Sequence, residues 1–351
     1  MNNTNAIDKE VISVRHYPFA LSNPYQLLMF KGSEAHGIQA TGIGNGLRGL
    51  MAEARAGDAA VLHLHWIHGS ATFENPWGAF IRVSVFHAAI LLALARGKRI
   101  VWTVHNLVNH ERKRDWLDRW NAKLLAREAH AILVHGERAI SLVADQLGVS
   151  KEKIHTVYHG NYAGVVRPQP PLAATNGVRF LFFGMIRPYK GIEDLLAAFH
   201  RTTGPHKLHI AGNPKFDELQ QTIEDYAAQN PERVTTELEF VPDGRLQELL
   251  GWCDVVVLPY RDIFTSGSLL MAMTAGRPVV APRAGLIPEY IDDRAAFLYD
   301  PDDPQGLERA LAQAAQSGHL QAMAHQAAER AEDFDWTSIG AKLAEIYNGR
   351  M

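Results

Sequence analysis

Two short loops in the second half of the chain carry residue types that bind phosphate. In the first, the apolar run 179–183 predicts a strand buried on both faces, and Gly184 ends it. Arg187 and Lys190 follow, just before a helix that opens at Gly191. Fixed positive charge beside a helix N-terminus favours a diphosphate ligand. Two solvated cations on an ordinary surface loop are the alternative interpretation.

The second loop follows another apolar run, 254–259, and begins with Tyr260. Its chemistry lies in the segment Thr265, Ser266, Gly267, Ser268, which opens a second helix. Hydroxyl groups and bare backbone N–H groups at a helix start suit phosphate oxygens, although plain helix caps use the same residues. Two such loops in one α/β domain, one of them cationic, favour a nucleotide diphosphate.

Histidines concentrate at a predicted strand end in the first half of the chain. The strand 59–64 delivers His63, His65 and His68 to its carboxyl end, where ligands gather in parallel sheets. No carboxylate follows at ligand spacing, so we predict no metal site there. A role for His65 or His68 in acceptor binding or proton transfer is one hypothesis, and packed structural histidines are the other.

Alternating strands and helices position these loops and predict an α/β fold. The Pro-rich, aperiodic stretch 167–171 indicates a linker between two domains. The predicted organisation is an N-terminal domain 1–165, a linker 166–177, a second domain 178–332 and a terminal segment 333–351. Individual elements include a helix from Ser22 or Asn23 to His36, a helix 81–95, a strand 237–240 and a last helix 338–347.

Composition excludes several classes of protein. The 351 residues are 47% hydrophobic and 21% charged, enough for two cores, and a net charge of −3 gives no indication of general nucleic-acid binding. A single cysteine, Cys253, excludes a disulfide framework. The polar residues 1–10 contain no apolar signal region, which predicts a cytoplasmic protein.

Taken in order, several short motifs resemble those of GT-B glycosyltransferases of family 4. They are Phe183-Gly184, Lys190-Gly191, Leu258-Pro259-Tyr260, Ser266-Gly267, Gly276-Arg-Pro-Val279 and Pro288-Glu289, with Thr103-Val-His-Asn106 in the first half. The resemblance implies two Rossmann-like, doubly wound domains facing a central cleft. It implies a terminal helix that crosses back to the first domain, a nucleotide sugar as donor substrate, and no metal or other cofactor.

The resemblance also assigns roles to residues. Those expected at the nucleotide sugar are Gly184, Arg187, Lys190, Tyr260, Thr265, Ser266, Gly267, Ser268 and Glu289. His105, at the tip of a strand, is expected to contact the transferred hexose.

One departure from the family pattern affects the chemistry. Ile263 and Met271 stand where retaining members usually carry two glutamates, and Asp262 is a neighbouring substitute for the first. This variant is similar to bacterial exopolysaccharide transferases of the xanthan-assembly type, which favours inversion. Inversion requires a general base near the acceptor hydroxyl, and the candidates in the first domain are His65, His68, Glu74 and Glu111.

The expected function is therefore hexose transfer, with GDP-mannose as one candidate donor. The expected acceptor is a lipid-diphosphate-linked oligosaccharide or another glycan in exopolysaccharide biosynthesis. The region 110–127, with Trp116, Trp120 and several cations, is either a solvated amphipathic helix or a contact with anionic lipid at the inner membrane face. A non-catalytic nucleotide-sugar-binding scaffold and a GT-B epimerase or phosphorylase are the alternatives. The Asp333-Phe-Asp335 spacing is interpreted as helix entry and not as a metal site.

Overall fold

The chain forms two compact units. A computed structural model describes residues 11–21, 23–67, 75–106, 115–170 and 176–350. The first unit runs to Gly160 and also takes the C-terminal segment from Asp335, and the second unit is Asn161–Phe334. The first unit is thus discontinuous in sequence.

The first unit contains a six-stranded parallel sheet in the order β2-β1-β3-β4-β5-β6. Its strands are β1 Ile12–Tyr17, β2 Ile38–Gly42, β3 Val61–Leu64, β4 Arg99–Thr103, β5 Ala131–Val134 and β6 Ile154–Thr156. Strands β3 and β5 are buried along their whole length, as expected for parallel strands covered on both faces.

Several α-helices accompany this sheet in the described part of the first unit. They are α1 Pro24–Glu34, α2 Gly46–Ala56, α3 Pro76–Ala95, α4 Asp115–Glu128, α5 Arg138–Leu147 and the C-terminal α13 Trp336–Asn348. Helix α1 begins where predicted, because the side chain of Asn23 accepts a hydrogen bond from the Tyr25 N–H and Pro24 occupies the first turn. Helix α3 begins five residues before the predicted start at Ile81.

Helix α13 packs against α1 and the sheet of the first unit. The two helices approach closely at glycines, since a Cβ added to Gly340 would lie 2.4 Å from the Gly32 carbonyl oxygen. Leu343 and Tyr347 belong to the same buried cluster as Val14 of β1. Asp335 caps α13 by accepting from two backbone N–H groups at 2.9 Å, which is the helix-entry role expected for it.

The second unit repeats the architecture with a parallel sheet in the order β12-β11-β10-β7-β8-β9. Its strands are β7 Arg179–Phe183, β8 Lys207–Ala211, β9 Val234–Glu237, β10 Val255–Val257, β11 Val279–Pro282 and β12 Ala296–Tyr299. Its helices are α6 Ile192–Arg201, α7 Asp217–Gln229, α8 Asp243–Trp252, α9 Gly267–Thr274, α10 Ile287–Tyr290, α11 Gly306–Gln316 and α12 Leu320–Glu332.

Two predicted boundaries differ from the structure. The predicted strand 237–240 begins three residues after the start of β9. In this edge strand only Val234 is buried, and the two threonines that follow interrupt the apolar pattern that predicts a strand. The unit boundary falls at Gly160, not at residue 165. Residues 166–170 of the predicted linker pack on the second unit, where the buried Arg277 guanidinium donates to the Pro170 carbonyl at 3.3 Å.

Candidate functional site

The two phosphate-type loops meet at the carboxyl end of β7 in the second unit. Gly184 follows β7 with φ +105°, a conformation that favours glycine. A Cβ placed there would lie 3.4 Å from Ser268 Oγ and 3.5 Å from Lys190 Nζ. The glycine, the hydroxyl and the ammonium group therefore surround one small space, which we call the donor pocket.

Lys190 places a nearly buried positive charge beside this pocket. The side chain is 9% exposed, and its Nζ lies 5.6 Å from the centroid of the Tyr260 ring. Burial, assisted by the nearby Arg187 guanidinium, lowers the pKa of Lys190 to about 8. In the part of the chain that the structure describes, no carboxylate forms an ion pair with it, whereas Arg261 is paired with Asp194 at 2.5 Å.

The start of helix α9 supplies neutral donors to the same pocket. Ser266 caps the helix, its Oγ accepting from the Leu269 N–H at 3.1 Å. The same Oγ lies 3.0 Å from the Tyr260 hydroxyl. Burial raises the pKa of Tyr260 to about 12, so its hydroxyl keeps its proton and remains a donor. A diphosphate in the pocket would thus meet one cation, two hydroxyl groups and the backbone N–H groups of a helix N-terminus.

Arg187 and Gly267 also belong to these loops. The Arg187 guanidinium donates to its neighbouring carbonyl at Ile186 (2.9 Å), and its charge acts on Lys190. Gly267 is the first residue of α9, and a Cβ there would lie 2.6 Å from the Tyr162 hydroxyl. The absence of a side chain at Gly267 therefore lets the helix start approach Tyr162.

Thr265 and Glu289 are the remaining residues predicted at the nucleotide sugar. Thr265 is half-buried in the loop before the cap of α9, and Glu289 is half-buried in the short helix α10. The turn leading into α10 packs on the loop that precedes α9, since a Cβ at Gly285 would lie 2.2 Å from the Ile263 carbonyl oxygen. Asp262, the candidate replacement for a missing glutamate, is exposed to solvent.

Gly212 is a pocket residue that we did not single out from the sequence. It follows β8 with φ +149°, and a Cβ there would lie 1.9 Å from the Gly184 carbonyl oxygen. Only glycine allows this approach of the loops that follow β7 and β8. The available signal was a glycine directly after an apolar strand, as at Gly184.

In the first unit, histidines stand at the carboxyl ends of four adjacent strands. His16 is the next-to-last residue of β1, and His65, His105 and His135 follow β3, β4 and β5. Their ring nitrogens lie within hydrogen-bonding distance, at 2.9 Å from His16 Nδ1 to His65 Nε2 and 3.0 Å from His65 Nδ1 to His105 Nε2. His105 Nδ1 lies 3.3 Å from His135 Nε2. We call these four residues the histidine row.

The histidine row is enclosed by aromatic side chains. Tyr25 of α1 packs against His65, His105 and His135 with ring centroids 5.1 to 5.9 Å apart. Burial lowers the pKa of His16 to about 3 and that of His135 to about 4, and it lowers the pKa of His65 as well. The rings of these three histidines are therefore neutral at physiological pH.

These contacts revise the role expected of His65. The residue is 0% exposed, and both of its ring nitrogens are bonded to other histidines, so it is not placed to take a proton directly from an acceptor hydroxyl. His105, at the tip of β4, is bonded through both ring nitrogens inside the first unit. His68, Glu74 and Glu111 lie outside the residues that the structure describes.

His63 is close to two members of the histidine row, and its contacts help to decide whether a metal ion could bind there. Ring nitrogens of His16, His63 and His65 fall within 4.8 Å of one another, a spacing that three metal ligands can have. However, His63 Nδ1 is 2.6 Å from the Tyr347 hydroxyl, and its Nε2 is 2.7 Å from Thr103 Oγ1. The polar groups present satisfy these nitrogens without an ion.

Sequence comparison assigns the family. A profile described as "Glycosyl transferases group 1" matches residues 177–317, and one described as "Glycosyltransferase Family 4" matches residues 80–161. The chain is 31% identical over 255 residues to a GDP-mannose:glycolipid 4-beta-D-mannosyltransferase of Xanthomonas campestris, covering 71% of this chain and 70% of that protein. The chain belongs to the group 1, family 4 glycosyltransferases.

Solved structures show that this glycosyltransferase has the GT-B fold. Anabaena HepE in complex with UDP and glucose superposes with a TM-score of 0.71 at 16% identity, covering 97% of this chain and all of that one. A sucrose-phosphate synthase from Thermosynechococcus elongatus gives a TM-score of 0.73 at 16% identity, covering 97% of this chain and 99% of that one. The predictions of the fold and of a glycosyltransferase are confirmed.

Proposed function

We propose that this glycosyltransferase moves mannose from GDP-mannose to a glycolipid acceptor in exopolysaccharide biosynthesis. The observation that carries the donor class is Lys190, a nearly buried cation that faces the pocket of Gly184 and Ser268 and has no ion pair among the described residues. A diphosphate supplies the charge that this site lacks. The base, the sugar and the acceptor follow the printed name of the Xanthomonas relative.

In this mechanism the donor pocket stabilises the departing nucleoside diphosphate. Negative charge grows on the phosphate oxygen as the bond to the sugar breaks, and Lys190 and Arg187 offset it. The Ser268 hydroxyl and the N–H groups at the start of α9 bind the remaining oxygens. These groups do the work that a metal ion does in other sugar transferases, so the proposal needs no metal.

The acceptor hydroxyl must lose a proton as the new bond forms. The pattern at Ile263 and Met271, where retaining relatives usually carry glutamates, supports inversion with a base from the first unit. His65 is too deeply buried for that task, which leaves His68, Glu74 and Glu111 as candidates. His105 is proposed to lie at the transferred hexose.

We also propose that the enzyme acts at the inner face of the plasma membrane, which it reaches from the cytoplasm. Of the region 110–127, the structure describes residues from 115 onward. Trp116 is 64% exposed and Trp120 is 41% exposed, and the exposed cations Arg119 and Lys123 lie on the same helix. An acceptor with a lipid tail would be presented at such a surface.

The test is a binding and transfer assay with the purified full chain. We expect a thermal shift with GDP and GDP-mannose but not with UDP or ADP, and release of GDP only when a lipid-linked glycan is present. Lys190→Met should strongly reduce the shift, while Arg261→Met, which removes a cation already paired with a carboxylate, should keep it. Binding without any turnover would support the scaffold alternative, and a shift with UDP instead would overturn the choice of donor.

A further inference from the structure

Helix α3 has two apolar faces that meet different surroundings. On one face Val83, Phe86 and Ile90 are fully buried against the first unit. The opposite face presents apolar side chains to solvent, namely Trp77, Phe80, Ile81, Val85 and Leu91, with Trp77 75% exposed. At 1.5 Å per residue this row extends over about 20 Å along the helix.

Helix α4 lies beside α3 and continues its exposed face. Phe80 of α3 stacks on Trp120 of α4 with ring centroids 6.1 Å apart, and both rings are partly exposed. Below them, His87 joins the helices through contacts of 2.7 Å to Glu128 and 2.9 Å to Asn121. The two helices therefore form one surface, which we call the bilayer face.

The exposed charges that the structure describes on the bilayer face are positive. Among the described side chains of α3 and α4, the exposed charged ones are Arg119, Lys123 and Arg127. Of the two described carboxylates on α4, that of Asp118 is buried, and that of Glu128 contacts His87 on a side chain that is 8% exposed. Exposed tryptophans flanked by cations are the residues that settle at the boundary between lipid headgroups and acyl chains.

We propose that the bilayer face rests on an anionic membrane, with α3 parallel to the membrane plane. This inference rests on the proposed glycolipid acceptor and assigns the contact mainly to α3. The segment Trp77–Ala95 is long and apolar enough to cross a bilayer, but its inner face is part of the core of the first unit. Leaving the core to span the membrane would expose Phe86 and Ile90, so the helix lies on the bilayer instead.

Flotation of the full chain with lipid vesicles tests the proposal. Wild-type protein should float with phosphatidylcholine vesicles that contain about 30 mol % phosphatidylglycerol, and high salt should weaken this binding. The triple variant Trp77→Ser, Ile81→Ser, Leu91→Ser should lower binding by at least about tenfold. Its matched control removes three equally exposed apolar side chains elsewhere in the first unit, Val11→Ser, Leu21→Ser and Leu142→Ser, and should bind like wild type.

A second pair of variants tests how much the positive charges of α4 contribute to vesicle binding. Arg119→Glu, Lys123→Glu and Arg127→Glu together should abolish the preference for anionic vesicles. Reversing Arg55, Lys151 and Lys207, exposed cations outside these helices, should not. Equal binding by the α3 variant and its control would overturn the proposal, and so would wild-type protein that resists carbonate extraction.

A third outcome identifies a different occupant. If wild type is a dimer in solution, binds no vesicles, and becomes a monomer in the α3 variant, the face joins two copies of the chain and the proposal is wrong. Mannose transfer to a short, water-soluble acceptor is measured in parallel. Wild-type protein that transfers mannose to this acceptor but does not bind vesicles would reject the bilayer face alone. Wild-type protein that does neither would reject the proposed function as well.

Discussion

His135 donates its Nδ1–H to the main-chain carbonyl of Val157 across 2.9 Å, and this bond sets the direction of the whole histidine row. A carbonyl oxygen only accepts, so the neutral His135 ring must present a bare Nε2 to His105. His105 then donates from Nδ1 and accepts at Nε2. By the same reasoning, His65 donates from Nδ1 to His105, and His16 donates from Nδ1 to His65. One backbone carbonyl thus selects the Nδ1–H tautomer in four side chains.

The first prediction concerns those tautomers. Nitrogen-15 NMR of histidine-labelled protein should show His16, His65, His105 and His135 protonated on Nδ1 and unprotonated on Nε2. Because burial keeps the pKa of His16 and of His135 far below 6.5, their signals should not change between pH 7 and 5.5. An Nε2–H tautomer at His105 would contradict the proposed direction.

The second prediction separates hydrogen bonding from packing at His135. Gln offers one donor and one acceptor in place of the ring, whereas Leu removes the hydrogen bonds from His135 to the Val157 carbonyl and from the His105 Nδ1–H to His135. His135→Leu should lower the free energy of unfolding by about 2–4 kcal/mol, and His135→Gln by about half as much. Urea denaturation followed by tryptophan fluorescence measures both, and equal losses would show that the hydrogen bonds contribute little.

The third prediction concerns acid. The folded-state pKa values of His16, His135 and His159 are lowered to about 3, 4 and 3, mainly by burial, whereas an unfolded histidine titrates near 6.5. Between these values the unfolded chain binds more protons, so the stability contribution is complete above pH 6.5 and is lost as the pH falls. Each group contributes about 1.4 kcal/mol per pH unit, or about 4 together.

Urea midpoints at pH 7, 5.5 and 4.5 measure this loss. His135→Gln removes one of these groups, so its slope of stability against pH should be smaller than that of wild type by about 1.4 kcal/mol per pH unit. A wild-type midpoint that does not move between pH 7 and 4.5 would refute the assignment of neutral, buried rings.

The fourth prediction links donor binding to the protonation of Lys190. With a pKa of about 8 in the free protein, the ammonium is charged below pH 8 and increasingly neutral above it. A bound diphosphate favours the charged form, so binding of GDP should take up a proton at pH 8.5 and its affinity should fall as the pH rises further. Calorimetry in two buffers of different ionisation enthalpy detects the proton.

The matched controls for that experiment are Lys190→Met and Arg261→Met. The first should weaken GDP binding by about tenfold to a hundredfold and abolish proton uptake, because it removes a charged donor from the pocket. The second removes a cation that is already paired with carboxylates and should change neither quantity. Proton uptake that persists in Lys190→Met would assign the titration to another group.

The fifth prediction is that transfer does not depend on a metal. Lys190, Arg187 and the start of α9 supply the positive charge and donors that a leaving diphosphate requires. Dialysis against a chelator should therefore leave the rate of mannose transfer unchanged, with metal content checked by mass spectrometry. Activity that is lost and then restored by Mg²⁺ or Mn²⁺ would contradict this mechanism.

The strand, the turn and the helix start that surround the donor pocket could be predicted from the sequence because their determinants are local. A buried apolar run, a glycine and a cation within a few residues specify a strand, a turn and a charge at one place, as at Gly184 and Lys190. Ser266 was likewise readable as the start of α9, since a hydroxyl before an apolar run is a common cap.

The histidine row could not be predicted in the same way. His16, His65 and His135 are far apart in sequence, and their contact depends on which strands are neighbours. The sheet places β1 next to β3 and β4 next to β5, an order that no local pattern specifies. The signal that was present, a histidine at the end of each of several strands, acquires meaning only once that order is known.

The discontinuity of the first unit has a consequence for its synthesis on the ribosome. Tyr347 bonds to His63, and Leu343 belongs to the core of the first unit, yet both follow the whole second unit in the chain. The amino-terminal sheet must therefore wait for the second unit to emerge from the ribosome before its core can close. A nascent chain that stalls before α13 would present an open core, in which His63 lacks the Tyr347 hydroxyl, to the quality-control machinery of the cell.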